Sequence, residues 1–287
     1  MNDKIILAET AGFCMGVSLA LGKLDNALKN QSRERIFTYG PIIHNPQVLE
    51  YYRNQGVSII DNWEEPGPGD TVLIRAHGIP LYIEDRLRLR NVNILDATCP
   101  KVKKAQLLIR ENSEQADCLL IYGERDHPEV KGLLSYTRCQ AYLFENLEEL
   151  HSLPLKAGNH YCLVSQTTQD RQKFLQIGKQ LQNDLDKDLK ILDTICDATK
   201  NRQSETINIA SRVECMVVVG GRNSGNTRRL YQVAQKHCSH AIHIETPKEL
   251  DKKIVSRLNT VGLTAGASTP DGTIREVYQY LSEIMHQ

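Results

Sequence analysis

The chain has 287 residues, enough for two or three domains, and 40% apolar residues supply ordinary cores. Its 35 basic and 35 acidic residues cancel, which leaves no electrostatic footprint for nucleic acid or an anionic membrane. The longest apolar run, around Cys215-Met-Val-Val-Val219, is strand-sized, well short of the roughly 18 residues of a spanning helix.

The N-terminal stretch Met1-Asn-Asp-Lys-Ile-Ile-Leu-Ala-Glu9 turns polar too early for a signal peptide, so a soluble cytoplasmic protein is expected. Thr10-Ala-Gly-Phe-Cys14 then precedes a helical pattern over residues 17–28, a strand Ile36-Phe-Thr-Tyr39 and a loop Gly40-Pro-Ile-Ile-His44. Pro66-Gly-Pro-Gly69 reads as a turn, and Ile74-Arg-Ala-His-Gly78 leads into a helix over 81–90. A second unit opens at Ile94-Leu-Asp-Ala-Thr-Cys-Pro100 and runs through the strand Cys118-Leu-Leu-Ile-Tyr122 to His127-Pro-Glu-Val130. It closes with Val164-Ser-Gln-Thr-Thr168 and a helix over 170–185. The opening recurs at Ile191-Leu-Asp-Thr-Ile-Cys-Asp197, followed by the strand Cys215–Val219, the cluster Ser224-Gly-Asn226 at a helix start, and a strand over 241–245. Leu263-Thr-Ala-Gly-Ala-Ser268 and a helix over 273–285 end the chain.

Cys99 and Cys196 are 97 residues apart, and the offset carries Cys118 onto Cys215, Gly123 onto Gly220, Arg125 onto Arg222, His127 onto Ser224 and Glu129 onto Asn226. Cys14 and His44 begin a weaker third copy; the distance from cysteine to loop cluster is 30, 28 and 28 residues. Each copy closes on an equivalent loop residue, His77, Thr167 or Ser268. Self-similarity at a fixed period, with strands alternating with amphipathic helices, predicts an α/β fold of three pseudo-threefold-related lobes with parallel-type sheets. Their expected limits are 1–97, 98–193 and 194–287.

Eight cysteines without tight pairing exclude a zinc ribbon or redox dithiol, and without a secretory signal they are expected to be reduced. Cys118, Cys139, Cys162 and Cys215 read as small core residues. Cys14, Cys99 and Cys196 stand at matched loop positions, where three thiolates converging on the axis would suit zinc, copper(I) or an iron–sulfur cluster. A cubane held by three cysteines keeps one exchangeable iron position; a zinc ion would need a fourth ligand such as His77 or His127. His237-Cys-Ser-His240 with His243 is a separate group of metal-type residues at a helix end. His44, His77, His127, Thr167, Ser224, Asn226 and Ser268 lie in strand-end loops, where hydroxyl, amide and imidazole groups with helix N-terminal N–H groups can hold phosphate. Ser224 is equally a plain N-cap. Neither a Walker nor a dinucleotide fingerprint occurs in a strand–turn–helix context. Glu129 is the one carboxylate in these clusters. Beside a hydroxyl such as Thr167 it is a candidate general acid, or an ordinary first-turn helix acid.

The motifs Gly12-Phe-Cys-Met-Gly-Val17, Gly40-Pro-Ile-Ile-His-Asn45, Ala76-His-Gly78, Asp96-Ala-Thr-Cys-Pro100, His127-Pro-Glu-Val130 and Ser165-Gln-Thr-Thr168 occur in order. Asp193-Thr-Ile-Cys196, Ala198-Thr199, Arg202-Gln203, Asn223-Ser224 and Thr264-Ala-Gly-Ala-Ser-Thr-Pro-Asp271 complete them. In this, nearly the whole chain resembles the 4-hydroxy-3-methylbut-2-enyl diphosphate reductases. The resemblance implies a trefoil around a central [4Fe–4S] cluster on Cys14, Cys99 and Cys196, with one iron open to the substrate hydroxyl. It implies a branched allylic diphosphate held by His44, His77, His127, Thr167, Ser224, Gly225 (through its N–H), Asn226 and Ser268. Two electrons and two protons would remove the hydroxyl as water, giving isopentenyl and dimethylallyl diphosphates, with Glu129 as proton donor. Ferredoxin or flavodoxin is the implied electron donor. The chain departs from the family at Gly225, where many members carry serine, at Ser18-Leu19, and at Asp126, where Gly or Thr is usual. Two other classes are weighed against this one: a non-catalytic iron–sulfur sensor, which would not need Glu129 with a full diphosphate cradle, and a zinc hydrolase, which would show short ligand spacing.

Overall fold

The structure, a computed structural model, describes residues 4–30 and 34–285. The first three residues of the polar N-terminal stretch lie outside that range.

In chain order the elements are β1 (Ile5–Leu7), α1 (Met15–Asn30), β2 (Ile36–Tyr39), α2 (Pro46–Asn54), β3 (Val57–Ile60), β4 (Thr71–Ile74), α3 (Leu81–Leu89) and β5 (Asn93–Asp96). There follow α4 (Pro100–Ser113), β6 (Cys118–Tyr122), α5 (Pro128–Leu134), β7 (Gln140–Phe144), α6 (Leu147–His151), β8 (Tyr161–Ser165), α7 (Arg171–Asp184) and β9 (Lys190–Ile191). The chain closes with α8 (Asp197–Ala210), β10 (Cys215–Val219), α9 (Gly225–His237), β11 (His240–Ile244), α10 (Lys252–Val255), β12 (Val261–Ala265) and α11 (Asp271–Met285). Pro66-Gly-Pro-Gly69 lies between β3 and β4, where Asp70 N–H donates to Gly67 O at 3.1 Å and Gly69 has φ +87°.

Three four-stranded sheets result, all parallel, ordered β3-β2-β4-β5, β7-β6-β8-β9 and β11-β10-β12-β1. The orders are one and the same: in each, the first strand of the repeat is flanked by the second and the third, and a fourth strand closes the far edge. The three-lobed α/β architecture expected from the repeat is therefore present. In the third sheet the closing strand is β1, whose Ile5, Ile6 and Leu7 pair with Val261, Gly262 and Leu263. The sheet built from residues 194–287 thus takes one edge from outside that span.

The central strands β6, β8, β10 and β12 are buried at every residue, which accounts for their unbroken apolar runs: a parallel sheet with helices on both faces has no polar side. The edges are short or half-exposed, which limits pairing with other chains.

By compactness the chain divides into two units. One comprises Met1–Ser18, Ile43–Tyr51 and Asp197–Gln287, and the other Leu19–Ile42 and Tyr52–Cys196. In the first, Val217, Val219 and Leu263 pack against Val277 and Leu281 of α11, while Met216 and Val218 on the opposite face meet Ile209 of α8 with Leu230 and Ala234 of α9. In the second, Phe37, Val72 and Ile74 pack on Ile83 and Leu87 of α3. Leu120 and Leu163 pack on Phe174, Ile177 and Leu181 of α7, and Leu119, Ile121 and Val164 on Ala105 and Ile109 of α4. Among the described residues no helix is long and apolar enough to cross a membrane.

Candidate functional site

In each sheet the chain leaves the first strand towards the edge that holds the second, while the third strand is bordered on its other side by the fourth. The loops beyond these two central strands therefore diverge, and ligands of open α/β sheets gather in such crevices. His44, His127 and Ser224 each lie five residues past the end of a first strand, β2, β6 or β10. The residue after that strand donates its N–H to the last carbonyl of the neighbouring edge strand in every case: Gly40 to Ile60 at 2.7 Å, Gly123 to Phe144 at 3.0 Å, Gly220 to Ile244 at 2.9 Å. The repeat seen in the sequence is thus one backbone course taken three times.

After the third strands the three courses also superpose. His77 and Ser268 lie three residues past β4 and β12; the residue so placed after β8 is Thr168, and Thr167 shares the position of Ala76 and Ala267. Hydrogen bonding gives the same register, with Gly78, Gln169 and Thr269 donating to Arg75, Gln166 and Gly266. Sequence matching set Thr167 opposite His77 and Ser268; the strand ends shift it by one.

The fourth strands lead to the three cysteines. Each cysteine stands one residue before a helix, Cys14 before α1, Cys99 as N-cap of α4, and Cys196 before α8. Their N–H groups donate to the same loop position, Ala267 O at 3.2 Å, Ala76 O at 2.9 Å and Thr167 O at 3.0 Å. All three are half-buried. A helix N-terminus offers N–H groups and a dipole that favour negative charge, so the three cysteines share one electrostatic setting. Cys118, Cys162 and Cys215 contrast with them. Burial in the strands pushes their thiols up to about 11, 11 and 12, and they serve as core residues, as the sequence suggested. In the group at the α9–β11 junction, Cys238 Sγ points at Val213 O (3.4 Å) and His243 Nε2 lies 2.8 Å from Gly220 O, so two of its ligand atoms face backbone carbonyls.

In the second unit, Glu129 is buried in the first turn of α5, 1% exposed. Thr167 satisfies it from two sides: the backbone N–H donates to Oε1 at 2.6 Å and the hydroxyl to Oε2 at 2.9 Å. Burial is the larger influence and raises the carboxyl to about 7, against the lowering effect of the two Thr167 hydrogen bonds. The acid therefore exists in both protonation states near neutrality. His127 caps α5, its Nδ1 accepting from Glu129 N–H at 3.2 Å. That bond leaves the ring proton on Nε2. His77 meets the His127 ring edge to face at 5.3 Å.

In the first unit, Ser224 caps α9 by accepting from Thr227 N–H at 3.3 Å. Ser268 Oγ donates to His44 O at 3.3 Å and lies 3.4 Å from Ser224 Oγ. Asn226, second residue of α9, is 7% exposed and its buried Nδ2 has no hydrogen-bond partner, an amide donor left for a ligand. Gly221 allows the His44 carbonyl to approach, because a Cβ there would sit 2.7 Å from it.

Sequence reading missed the struts behind these loops. Arg125 N–H donates to Glu145 Oε1 at 2.6 Å and its guanidinium to Glu149. Arg222 repeats both contacts with Glu245 and Glu249. The paired runs Glu145-Asn-Leu-Glu-Glu-Leu150 and Glu245-Thr-Pro-Lys-Glu-Leu250 carried that signal.

Comparison with known proteins agrees along the whole chain. A family model described as LytB protein matches residues 5–282. The 4-hydroxy-3-methylbut-2-enyl diphosphate reductase of Solidesulfovibrio magneticus is 51% identical over 282 residues, covering 97% of this chain and 99% of the relative. That of Aquifex aeolicus is 39% identical over 283 residues, covering 98% and 96%. Among solved structures, an (E)-4-hydroxy-3-methyl-but-2-enyl diphosphate reductase, described as the terminal enzyme of the non-mevalonate pathway, aligns with TM-score 0.71 at 39% identity, covering 97% of this chain and 99% of its own. The Plasmodium falciparum reductase aligns with TM-score 0.91 at 27% identity, covering 97% and 88%.

Proposed function

The chain belongs to the LytB family, and from that premise we propose that it is a 4-hydroxy-3-methylbut-2-enyl diphosphate reductase. The observation that carries the reading is the buried Glu129 carboxyl, poised near neutrality and bonded twice to Thr167. A structural first-turn acid has no need of such burial; a proton donor does.

The reaction removes the allylic hydroxyl. The C–O bond breaks, the hydroxyl leaves as water after taking one proton, and the allyl fragment accepts two electrons and a second proton at carbon. Attachment at either end of the allyl unit gives isopentenyl or dimethylallyl diphosphate. Cys14, Cys99 and Cys196 would hold a [4Fe–4S] cluster; their equivalent helix-start positions and the inertness of the strand cysteines fit that donor set. When bound, such a cluster supplies single electrons at low potential and a Lewis-acidic iron. Reducing equivalents would come from a ferredoxin- or flavodoxin-type donor.

The chain's own residues account for the rest. Ser224, the N–H of Gly225, Asn226 and Ser268, together with His44, His77 and His127, are the diphosphate ligands. His127 serves as a neutral donor through Nε2–H, since its Nδ1 is engaged by Glu129 N–H. When Glu129 is protonated at Oε2 its bond with Thr167 reverses: the Thr167 hydroxyl hydrogen turns to the departing oxygen, Oε2–H donates to Oγ1, and the proton passes along that pair. Burial keeps water from competing for that proton.

The test is anaerobic purification followed by turnover of the hydroxylated diphosphate with a reduced low-potential dye. A brown protein that turns over supports the reading, and Glu129→Gln is expected to keep the iron while losing about 100-fold or more in kcat. A colourless protein, or a brown one without turnover, defeats it.

A further inference from the structure

Helix α8 starts one residue after Cys196, and two of its residues hold the loop that leads from β1 to Cys14. Glu205 Oε1 accepts from Glu9 N–H at 2.7 Å, and Oε2 accepts from Thr10 N–H at 2.9 Å and from the Thr10 hydroxyl. Arg202, three residues earlier and so on the same helix face, is 4% exposed and donates Nη2–H to Gly12 O. Carboxylate and guanidinium thus bind the N–H groups at the start of the loop and a carbonyl near its end.

Glu205 lies nine residues after a ligand cysteine, and the position recurs. Lys23, nine after Cys14, donates Nζ–H to Asp96 O at 2.5 Å, three residues before Cys99. Nine after Cys99 stands Leu108, which has no polar group to offer. The loop of Cys196 is held by its own Thr194 instead: that hydroxyl donates to Ser165 O at 2.6 Å and accepts from Ser165 N–H at 2.9 Å. Each of the three cysteine loops therefore has its own anchor, and each anchor is distinct in chemistry.

We propose that Glu205 with Arg202 are positioning residues for Cys14, and Lys23 for Cys99, each setting one thiolate independently of the other two. The inference rests on the cluster assigned above. It extends that reading from the ligands to the groups that aim them, whose loss in metal sites typically costs about 10- to 100-fold in affinity.

The experiment uses the anaerobically purified holoprotein, exposed to an iron chelator for timed intervals and quenched with iodoacetamide, with alkylation at each cysteine read by peptide mass spectrometry. Glu205→Ala is expected to lose iron roughly tenfold faster than wild type, with Cys14 alkylated ahead of Cys99 and Cys196. Lys23→Met should put Cys99 first. Glu205→Gln, which keeps an acceptor oxygen, should fall between. Should Glu205→Ala fail to accumulate as folded protein, Thr10→Val, which removes one bond of the anchor, must still bring Cys14 forward. A merely structural loss would expose all three thiols together. One order of alkylation shared by wild type and every variant overturns the proposal, as does iron loss from Glu205→Ala within about twofold of wild type. A wild-type chain without iron would instead defeat the functional reading beneath it.

Discussion

Replacing Glu129 by Gln makes the proton store measurable without any turnover. In the folded chain the carboxyl titrates at about 7, against an ordinary value of 4.5. The folded state therefore holds its proton more tightly than the unfolded state. Below pH 4.5 both states are protonated and no penalty exists; between 4.5 and 7 the unfolded chain releases its proton while the folded chain keeps it, so stability falls as pH rises and levels off above 7. A shift of this size corresponds to about 3 kcal/mol at alkaline pH. The carboxamide introduced by Glu129→Gln keeps the geometry, since its oxygen accepts from Thr167 N–H and its NH2 can donate to Thr167 Oγ1, but it cannot ionise. Unfolding free energies of the metal-free wild type and Glu129→Gln, from denaturant titrations at pH 5 and pH 8, should therefore diverge by about 2.5 kcal/mol between the two pH values, the variant gaining relative stability at the higher pH. Parallel behaviour within about 1 kcal/mol would mean that Glu129 is ionised throughout, and the proton-donor argument would fall.

Three further outcomes are expected. His127→Asn keeps an N-cap acceptor for α5 but deletes the Nε2–H donor, so it should unfold within about 1 kcal/mol of wild type while KM for the diphosphate rises about tenfold or more. Gly221→Ala places a methyl 2.7 Å from His44 O; displacement of the loop should cost about 2 kcal/mol in stability and raise KM, both readable from one preparation. In the native metal-free chain, iodoacetamide at pH 8 should label Cys14, Cys99 and Cys196 and spare Cys118, Cys162 and Cys215, whose thiols stand at about 11, 11 and 12; modification of the strand cysteines at comparable rates would contradict their assignment to the core.

Much of this was legible beforehand because the repeat is written in residues that do local work. Cysteines at helix starts, glycines after the first strands and hydroxyls or imidazoles five residues on are short-range features, and short-range features survive in a one-dimensional reading. The helix expected over 81–90 is observed as Leu81–Leu89, and that over 170–185 as Arg171–Asp184, ended by their own capping residues. What escaped the sequence depends on partners far away. Nothing in Ile5-Ile-Leu7 says that its neighbour is Val261-Gly-Leu263. The offset of Thr167 against His77 and Ser268 hides for a related reason: the segment between the central strands differs in length among lobes, and only hydrogen-bond register restores the count. The Glu205 and Lys23 anchors look like ordinary exposed-face charges until their carbonyl and amide partners are known.

The pairing of β1 with β12 also fixes an order of events during synthesis. Tyr52–Cys196 emerges from the ribosome as an almost continuous stretch and can pack while translation proceeds. Ile5–Leu7 must wait for Val261–Ala265, nearly the whole length of translation later. Cys14, the first cysteine to be made, therefore reaches its native setting only at the end of synthesis, and if the proposed ligand set holds, iron delivered earlier would find only Cys99 and Cys196 in place.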